Sequence, residues 1–242
     1  MMKRNSLTSS RILEKKNKLI WGVDEAGRGP VLGPMVISGA CLNYEQIDSL
    51  LLLGVKDSKK LSPKKRVDLA TLIKKECLCY NEIEISAQEI DRREENGLDL
   101  NKLEINKMAE VINNLKPNII YIDAADVNEK RFKKRIAVKL NYIPRKIIAK
   151  HKADDLYPIV SAASIIAKHK RDSIIQELRE KYINLGYGDL GSGYTSDERT
   201  IKFLRNWIRR HKQPPRFARI TWETTRRLMD EEVYNQKITD FL

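Results

Sequence analysis

Three apolar runs of strand length end in carboxylates, and this pattern constrains the chain most. "LIWGVDEA" ends at Asp24 and Glu25, "NIIYIDAAD" carries Asp123, and "RKIIAKHKADD" reaches Asp154 or Asp155. Buried strands of α/β sheets read as near-continuous apolar runs. Such sheets gather functional groups at the carboxyl ends of their strands. Two further strands are predicted, "PMVISGACL" after a Gly/Pro turn and the alternating "NEIEIS". "NIIYIDAAD" is then the fourth strand. If it lies parallel to the first and beside it, Asp24 and Asp123 stand side by side. Asp154 reaches the same point from the fifth strand or from the loop after it.

Helices fill the intervals. Ser62-Pro63 reads as an N-cap followed by proline at the first helical position, opening a helix over "KKRVDLATLIKKE". "LDLNKLEINKMAEVINNLK" has helical spacing and stops at Pro117. From Tyr157 the pattern is helical to about Asn184. The glycine-rich loop "GYGDLGSGY" follows, and Thr195 with Glu198 makes a candidate capping box for "DERTIKFLRNWIRRH". "WETTRRLMDEEVYNQ" reads as a last helix. Strands mixed with helices, then helices alone, give an α/β core with a helical C-terminal part. The expected divisions are a basic N-terminal tail (1–19), a catalytic domain (20–195), a helical part (196–234) and a C-terminal tail (235–242).

The chain carries 46 Lys+Arg against 33 Asp+Glu, a formal net charge of +13. The positive charge comes in blocks, "KDSKKLSPKKR", "KRFKKR", "KHKR" and "RNWIRRHK". A basic surface of this kind attracts nucleic acid before acidic membrane, and its binding should weaken steeply with salt. No apolar run approaches the length of a membrane span. The N-terminal stretch lacks the apolar core of a secretory signal. The three cysteines form no C-x-x-C pair and the three histidines are scattered. Neither a zinc site nor a disulfide framework is expected, in a reducing cytoplasm.

Each acid alone reads equally well as a helix or turn cap. Several at one point repel unless cations fill the gap or one takes up a proton. Oxygen ligands without histidine or cysteine suit magnesium or manganese, and two such ions can cleave a phosphodiester. Gly27-Arg28-Gly29 is neither a dinucleotide fingerprint nor a Walker loop, since a strand rather than a helix follows Pro34. Its glycines instead let backbone amides approach a ligand. Amides and carbonyls can test a sugar for the 2′-hydroxyl, which separates RNA from DNA.

"DEAGRGPVLGPMV", "DSKKLSP", "YIDAAD", "HKADDLYPIVSAASIIAK" and "GSGYTSD" together resemble the type 2 ribonuclease H family, ribonuclease HII, and "YPIVSAASIIAK" resembles its archaeal branch. The resemblance implies a ribonuclease H-like fold with a mixed five-stranded sheet flanked by helices. It implies an endonuclease that hydrolyses the RNA strand of RNA/DNA hybrids and cuts 5′ of single ribonucleotides in duplex DNA, leaving 3′-hydroxyl and 5′-phosphate ends. Roles in primer removal and ribonucleotide excision repair follow. Carried over residue by residue, Asp24, Glu25, Asp123 and Asp154 are the catalytic metal ligands for Mg2+ or Mn2+, with two ions when substrate is bound. The assignment of Asp154 rests on the following Tyr157-Pro158. Gly27, Arg28 and Gly29 sense the 2′-hydroxyl, Tyr194 stacks on the sugar at the RNA-DNA junction, and Lys59 and Lys60 touch phosphate. Packing is the blander reading of Tyr194. Ser161 and Ser164 read as packing or capping groups, not nucleophiles.

The chain ends "NQKITDFL". Ile238, Phe241 and Leu242 resemble a box that binds PCNA-type sliding clamps, with Asn235 where glutamine is usual. The family resemblance suggests a monomer. Two rivals stand against this reading. One is a nuclease of the same fold that ignores the 2′-hydroxyl. The other is a hybrid-binding module whose acids are structural.

Overall fold

The structure, a computed structural model, describes residues 19–52, 54–55 and 62–234. Lys59, Lys60 and the tail residues Ile238, Phe241 and Leu242 lie outside the described residues. Five strands form one mixed sheet in the order β3-β2-β1-β4-β5: β1 (Ile20–Ala26), β2 (Met35–Leu42), β3 (Cys79–Ile85), β4 (Ile119–Asp123) and β5 (Lys146–Lys150). β1 and β4 are parallel neighbours, as are β4 and β5. Ile20 pairs with Ile119 and Val23 with Ile122, so one further step brings Asp24 level with Asp123.

The described helices are α1 (Tyr44–Leu52), α2 (Pro63–Glu76), α3 (Ala87–Arg92), α4 (Leu100–Leu115), α5 (Glu129–Lys139), α6 (Ala153–Leu156), α7 (Pro158–Asn184), α8 (Glu198–His211) and α9 (Glu223–Met229). A π-helical turn, Asp230–Tyr234, follows α9. No described helix is long and apolar enough to cross a membrane. Ser62 caps α2, accepting from the Lys65 amide at 3.4 Å, with Pro63 at the first helical position. The cap of α8 differs from the expected Thr195 box. Asp197 is the N-cap, and its carboxylate accepts from the Arg199 amide and side chain. A carboxylate at the positive end of a helix gains from the dipole as well as the hydrogen bond, so it displaces the threonine.

The chain divides into two units that alternate along the sequence. The first takes residues up to Glu25, Ile37–Ile83 and Glu104–Ala167; the second takes Ala26–Val36, Glu84–Leu103 and the chain from Lys168 onward. In the first unit two glycines mark where helices press on strands. A Cβ on Gly22 of β1 would meet the Ile159 carbonyl of α7 at 2.0 Å; one on Gly39 of β2 would meet Val111 of α4 at 2.7 Å and the Trp21 ring at 3.2 Å. Trp21 and Gly22 are consecutive and point to opposite faces. Helices therefore cover both faces of the sheet. Ile20, Leu42, Leu50, Ile73, Val160 and Ile166 form a core there. The small residues of "VSAASIIAK" permit the close approach. Ser161 donates to the Val55 carbonyl at 2.6 Å, a packing role as expected.

The second unit has its own core of Val31, Leu32, Ile175, Leu190, Phe203, Leu204, Ile208 and Leu228. Tyr182 sits at its aromatic centre, with ring centroids 4.9 Å from Phe217 and 5.4 Å from Trp207.

Candidate active site

In the first unit, Asp24, Glu25 and Asp123 come together. One carboxylate oxygen from each lies within 4.8 Å of the others. β1 and β4 deliver them because both strands run the same way and end at the same level. Asp24 is buried, at 4% exposure. Burial, then the neighbouring Glu25 and Asp123 carboxylates, push its carboxyl well above the usual range, and the Ser164 hydroxyl beside it acts the other way. One Asp24 oxygen accepts from the Glu25 amide at 2.8 Å, which fixes the carboxyl's rotation.

Asp123 is oriented from the next strand. Lys152, in the turn after β5, takes a left-handed conformation (φ 53°), and the following Ala153 amide donates to Asp123 at 2.7 Å. Asp154 lies in the first turn of α6 and is buried at 6%, while Asp155 is exposed. The group of three acids does not include Asp154. His151 closes the same corner: its ring nitrogens lie 3.2 Å from the Ala124 and Val127 carbonyls, and its amide donates to Glu129.

Asp126, from the same "YIDAAD" stretch, has a different task. It is buried and takes hydrogen bonds from the Arg131 guanidinium, and Arg135 approaches to 3.5 Å. The Arg131 hydrogen bonds hold its carboxyl down at about 2. Two arginines of the block "KRFKKR" therefore serve the fold besides adding to surface charge.

These residues fit a divalent metal. The donor set is all carboxylate, the hard-oxygen set that magnesium and manganese take. Burial and then the neighbouring carboxylates raise Asp24, and a cation among the three acids would offset the repulsion.

The second unit holds the glycine-arginine turn and Tyr194. Gly27 has φ +83°, and a Cβ there would strike Arg171 at 2.4 Å and the Pro34 carbonyl at 2.7 Å. Gly29 is different: it is exposed, and a Cβ on it would meet nothing within 4 Å. The Arg28 guanidinium donates to the Asn101 side chain at 2.5 Å. The Gly193 carbonyl accepts from the Val31 and Leu32 amides, which joins the "GSGY" loop to the segment after the turn. Tyr194 is 40% exposed, with the Arg171 guanidinium 4.9 Å from its ring centroid.

Two arginines were missed from sequence. Arg171 belongs to the block "KHKR", read as surface charge, yet it is 3% exposed and donates to the Ser192 carbonyl. Arg219 is fully buried and donates to the carbonyls of Gly27, Arg28 and Gly33. Arginine in a charged stretch resembles every other surface arginine, and no local signal in the sequence marks these two.

Comparison with known proteins agrees with this geometry. A family model described as Ribonuclease HII matches residues 21–225. Ribonuclease HII of Methanocella arvoryzae is 46% identical over 212 residues, covering 88% of this chain and 92% of the relative. The crystal structure of ribonuclease H2 from Pyrococcus horikoshii superposes with a TM-score of 0.81 at 42% identity, covering 88% of this chain and 98% of the other. The PCNA:RNase HII complex from Archaeoglobus fulgidus includes a chain that matches with a TM-score of 0.76 at 40% identity, over 85% of this chain and 95% of that one. With the fold, the acidic cluster and these matches in hand, the chain belongs to the ribonuclease HII family and is a metal-dependent ribonuclease, a hydrolase.

Proposed function

We propose that this enzyme hydrolyses the RNA strand of RNA/DNA hybrids and cuts on the 5′ side of single ribonucleotides in duplex DNA, leaving 3′-hydroxyl and 5′-phosphate ends. The observation that carries the reading is the convergence of Asp24, Glu25 and Asp123 at adjacent parallel strand ends, followed two residues on by the Gly27-Arg28-Gly29 turn. Asp24, Glu25 and Asp123 would hold the metal, and the buried Asp154 would be the fourth ligand. Magnesium or manganese held there, as two ions when substrate is bound, would supply Lewis-acid chemistry for phosphodiester hydrolysis.

The chain's own groups do the rest. The Ala153 amide holds Asp123 in one rotamer, and the Glu25 amide does the same for Asp24. Their carboxylates need no rearrangement as charge develops, which is the advantage of a preorganised site. Gly27, Arg28 and Gly29 test the sugar through backbone groups. Tyr194 offers an exposed ring for the sugar at the RNA-DNA junction, and Lys59 and Lys60 meet phosphate. The work suits primer removal and ribonucleotide excision repair by a cytoplasmic monomer.

The test is cleavage of a uniform RNA/DNA hybrid with and without divalent metal. Asp123→Asn should lower kcat by about a thousandfold or more, the scale of losing a group that acts on the transition state, with hybrid binding kept. Metal-independent binding with no product from the wild type would favour a binding module instead.

The tail gives a second reading. The A. fulgidus complex supports a sliding-clamp partner, with Ile238, Phe241 and Leu242 as the residues that would enter its apolar pocket. Deleting residues 238–242 should abolish clamp pull-down and leave cutting of free hybrid intact; unchanged pull-down contradicts it.

A further inference from the structure

In the segment "RITW", residues 219–222, the side chains of Arg219 and Trp222 converge on the glycine-arginine turn. Arg219 Nη1 donates to the Arg28 carbonyl at 2.7 Å, and Nη2 donates to the Gly27 carbonyl at 2.5 Å. Nε and Nη2 both reach the Gly33 carbonyl at 3.2 Å. Trp222 Nε1 donates to the Gly29 carbonyl at 3.3 Å. The carbonyls of all three turn residues are thus engaged by two side chains of one short segment.

The segment is itself anchored. Asp91 of α3 accepts from the Ile220 amide at 2.9 Å, the Thr221 amide at 3.1 Å and the Thr221 hydroxyl at 2.7 Å. The Arg219 amide donates to the Val31 carbonyl. Two guanidinium groups lie over the Trp222 ring, Arg219 at 4.9 Å and Arg93 at 5.1 Å from its centroid.

A peptide unit is planar, so holding a carbonyl fixes the N–H at the other end of the plane. Anchoring the Gly27 carbonyl orients the Arg28 amide, and anchoring the Arg28 carbonyl orients the Gly29 amide. Each carbonyl keeps a second lone pair. Glycine gives this turn its room, but it also gives it conformational freedom that would blur any geometric test. The guanidinium removes that freedom. A buried charge is expensive, and an apolar side chain of similar volume would fill the space at less cost. What only arginine offers is a rigid fork of donors that can span several carbonyls.

We propose that Arg219, supported by Trp222, is a positioning residue that sets the accuracy of 2′-hydroxyl discrimination by locking the peptide planes of Gly27-Arg28-Gly29. The proposal rests on the reading of that turn as the sugar sensor. Arg219 touches no reacting atom. It acts through the turn, so its loss should affect the response to the hydroxyl more than the cut itself.

The experiment compares two duplexes that differ at one sugar, one with a 2′-hydroxyl and one with 2′-fluorine, under the same metal. The readout is the ratio of their kcat/KM values for wild type, Arg219→Lys and Trp222→Phe. Lysine keeps the charge but cannot span three carbonyls. Phenylalanine keeps an aromatic ring beside the guanidiniums and removes the donor to Gly29. In Arg219→Lys the ratio should fall about tenfold, the factor equivalent to ~1.4 kcal/mol, mainly through the hydroxyl substrate. Trp222→Phe should fall in the same direction by less. General structural damage would lower both substrates together and leave the ratio unmoved, and that result overturns the proposal. A wild-type ratio near one would instead overturn the sugar-sensor reading beneath it. If Arg219→Lys does not fold, the ratio in Trp222→Phe decides, an unchanged ratio counting against the proposal.

Discussion

Gly27 and Gly29 are two residues apart and are glycine for different reasons. Gly27 has a left-handed φ and lies against Arg171 and the Pro34 carbonyl. Gly27→Ala should destabilise the protein by about 1–3 kcal/mol through backbone strain and overpacking, visible as a lower Tm. Gly29 is exposed with open space where its side chain would be, and its φ is not left-handed. Gly29→Ala should leave Tm nearly unchanged and lower kcat/KM on a ribonucleotide-containing duplex by about tenfold or more, because the methyl enters space the sugar needs. Equal activity in Gly29→Ala and wild type would count against the turn as a sugar sensor. At this scale the convergence of Asp24, Glu25 and Asp123 was the legible part of the sequence, because each ends an apolar run that reads as a strand; Asp154 falls outside that group. Arg171 and Arg219 were not legible. Nothing local distinguishes an arginine that folds inward over glycines from one in solvent, and the carbonyls that receive it are as many as 192 positions away.

The loop between α7 and α8 is held by ion pairs as well as by the buried Leu190. Arg179 of α7 makes a two-pronged contact with Asp189 at 2.8 and 2.9 Å, and the Gly191 amide donates to the same carboxylate. The Arg179 hydrogen bonds hold Asp189 down at about 2. A carboxylate whose folded pKa lies below its unfolded value, about 3.9, stabilises the fold above that unfolded pKa. The contribution is lost as pH falls from about 4 toward 2. Asp189→Asn should therefore lower Tm near neutral pH by about 2–4 °C at most, the shift expected for ~1 kcal/mol or less in a chain of this size. The gap from wild type should close in Tm scans taken between pH 4 and pH 2; a constant gap would show that the pair is not the source. The long periodic elements, α4 and α7, and the strands were readable because apolar spacing declares them. α5 was not: its buried stripe is only Phe132 and Ile136, in a segment dominated by lysine and arginine. The cap of α8 was missed because two plausible caps, Thr195 and Asp197, stand two residues apart, and charge at the helix end decided between them.

Across the whole molecule, the chain passes from one unit to the other between Glu25 and Ala26 and returns at Ile37. The acids belong to the first unit, and the glycine-arginine turn, Arg219 and Tyr194 belong to the second. No linear reading of composition shows such alternation, because neither a linker nor a change in residue usage marks the crossings. Ribonuclease HII membership was legible because five motifs occur in order over most of the chain, each with chemistry of its own. The central claim is that carboxylate-held metal and a backbone test for the 2′-hydroxyl act on one phosphodiester. The most direct measurement incubates the enzyme and magnesium with a DNA duplex holding one ribonucleotide and maps the cut at nucleotide resolution, beside an all-DNA duplex and the Asp123→Asn protein. A single cut on the 5′ side of the ribonucleotide, absent from both controls, is the expected result. Cutting of the all-DNA duplex at a comparable rate, or no cut with either magnesium or manganese, would contradict it.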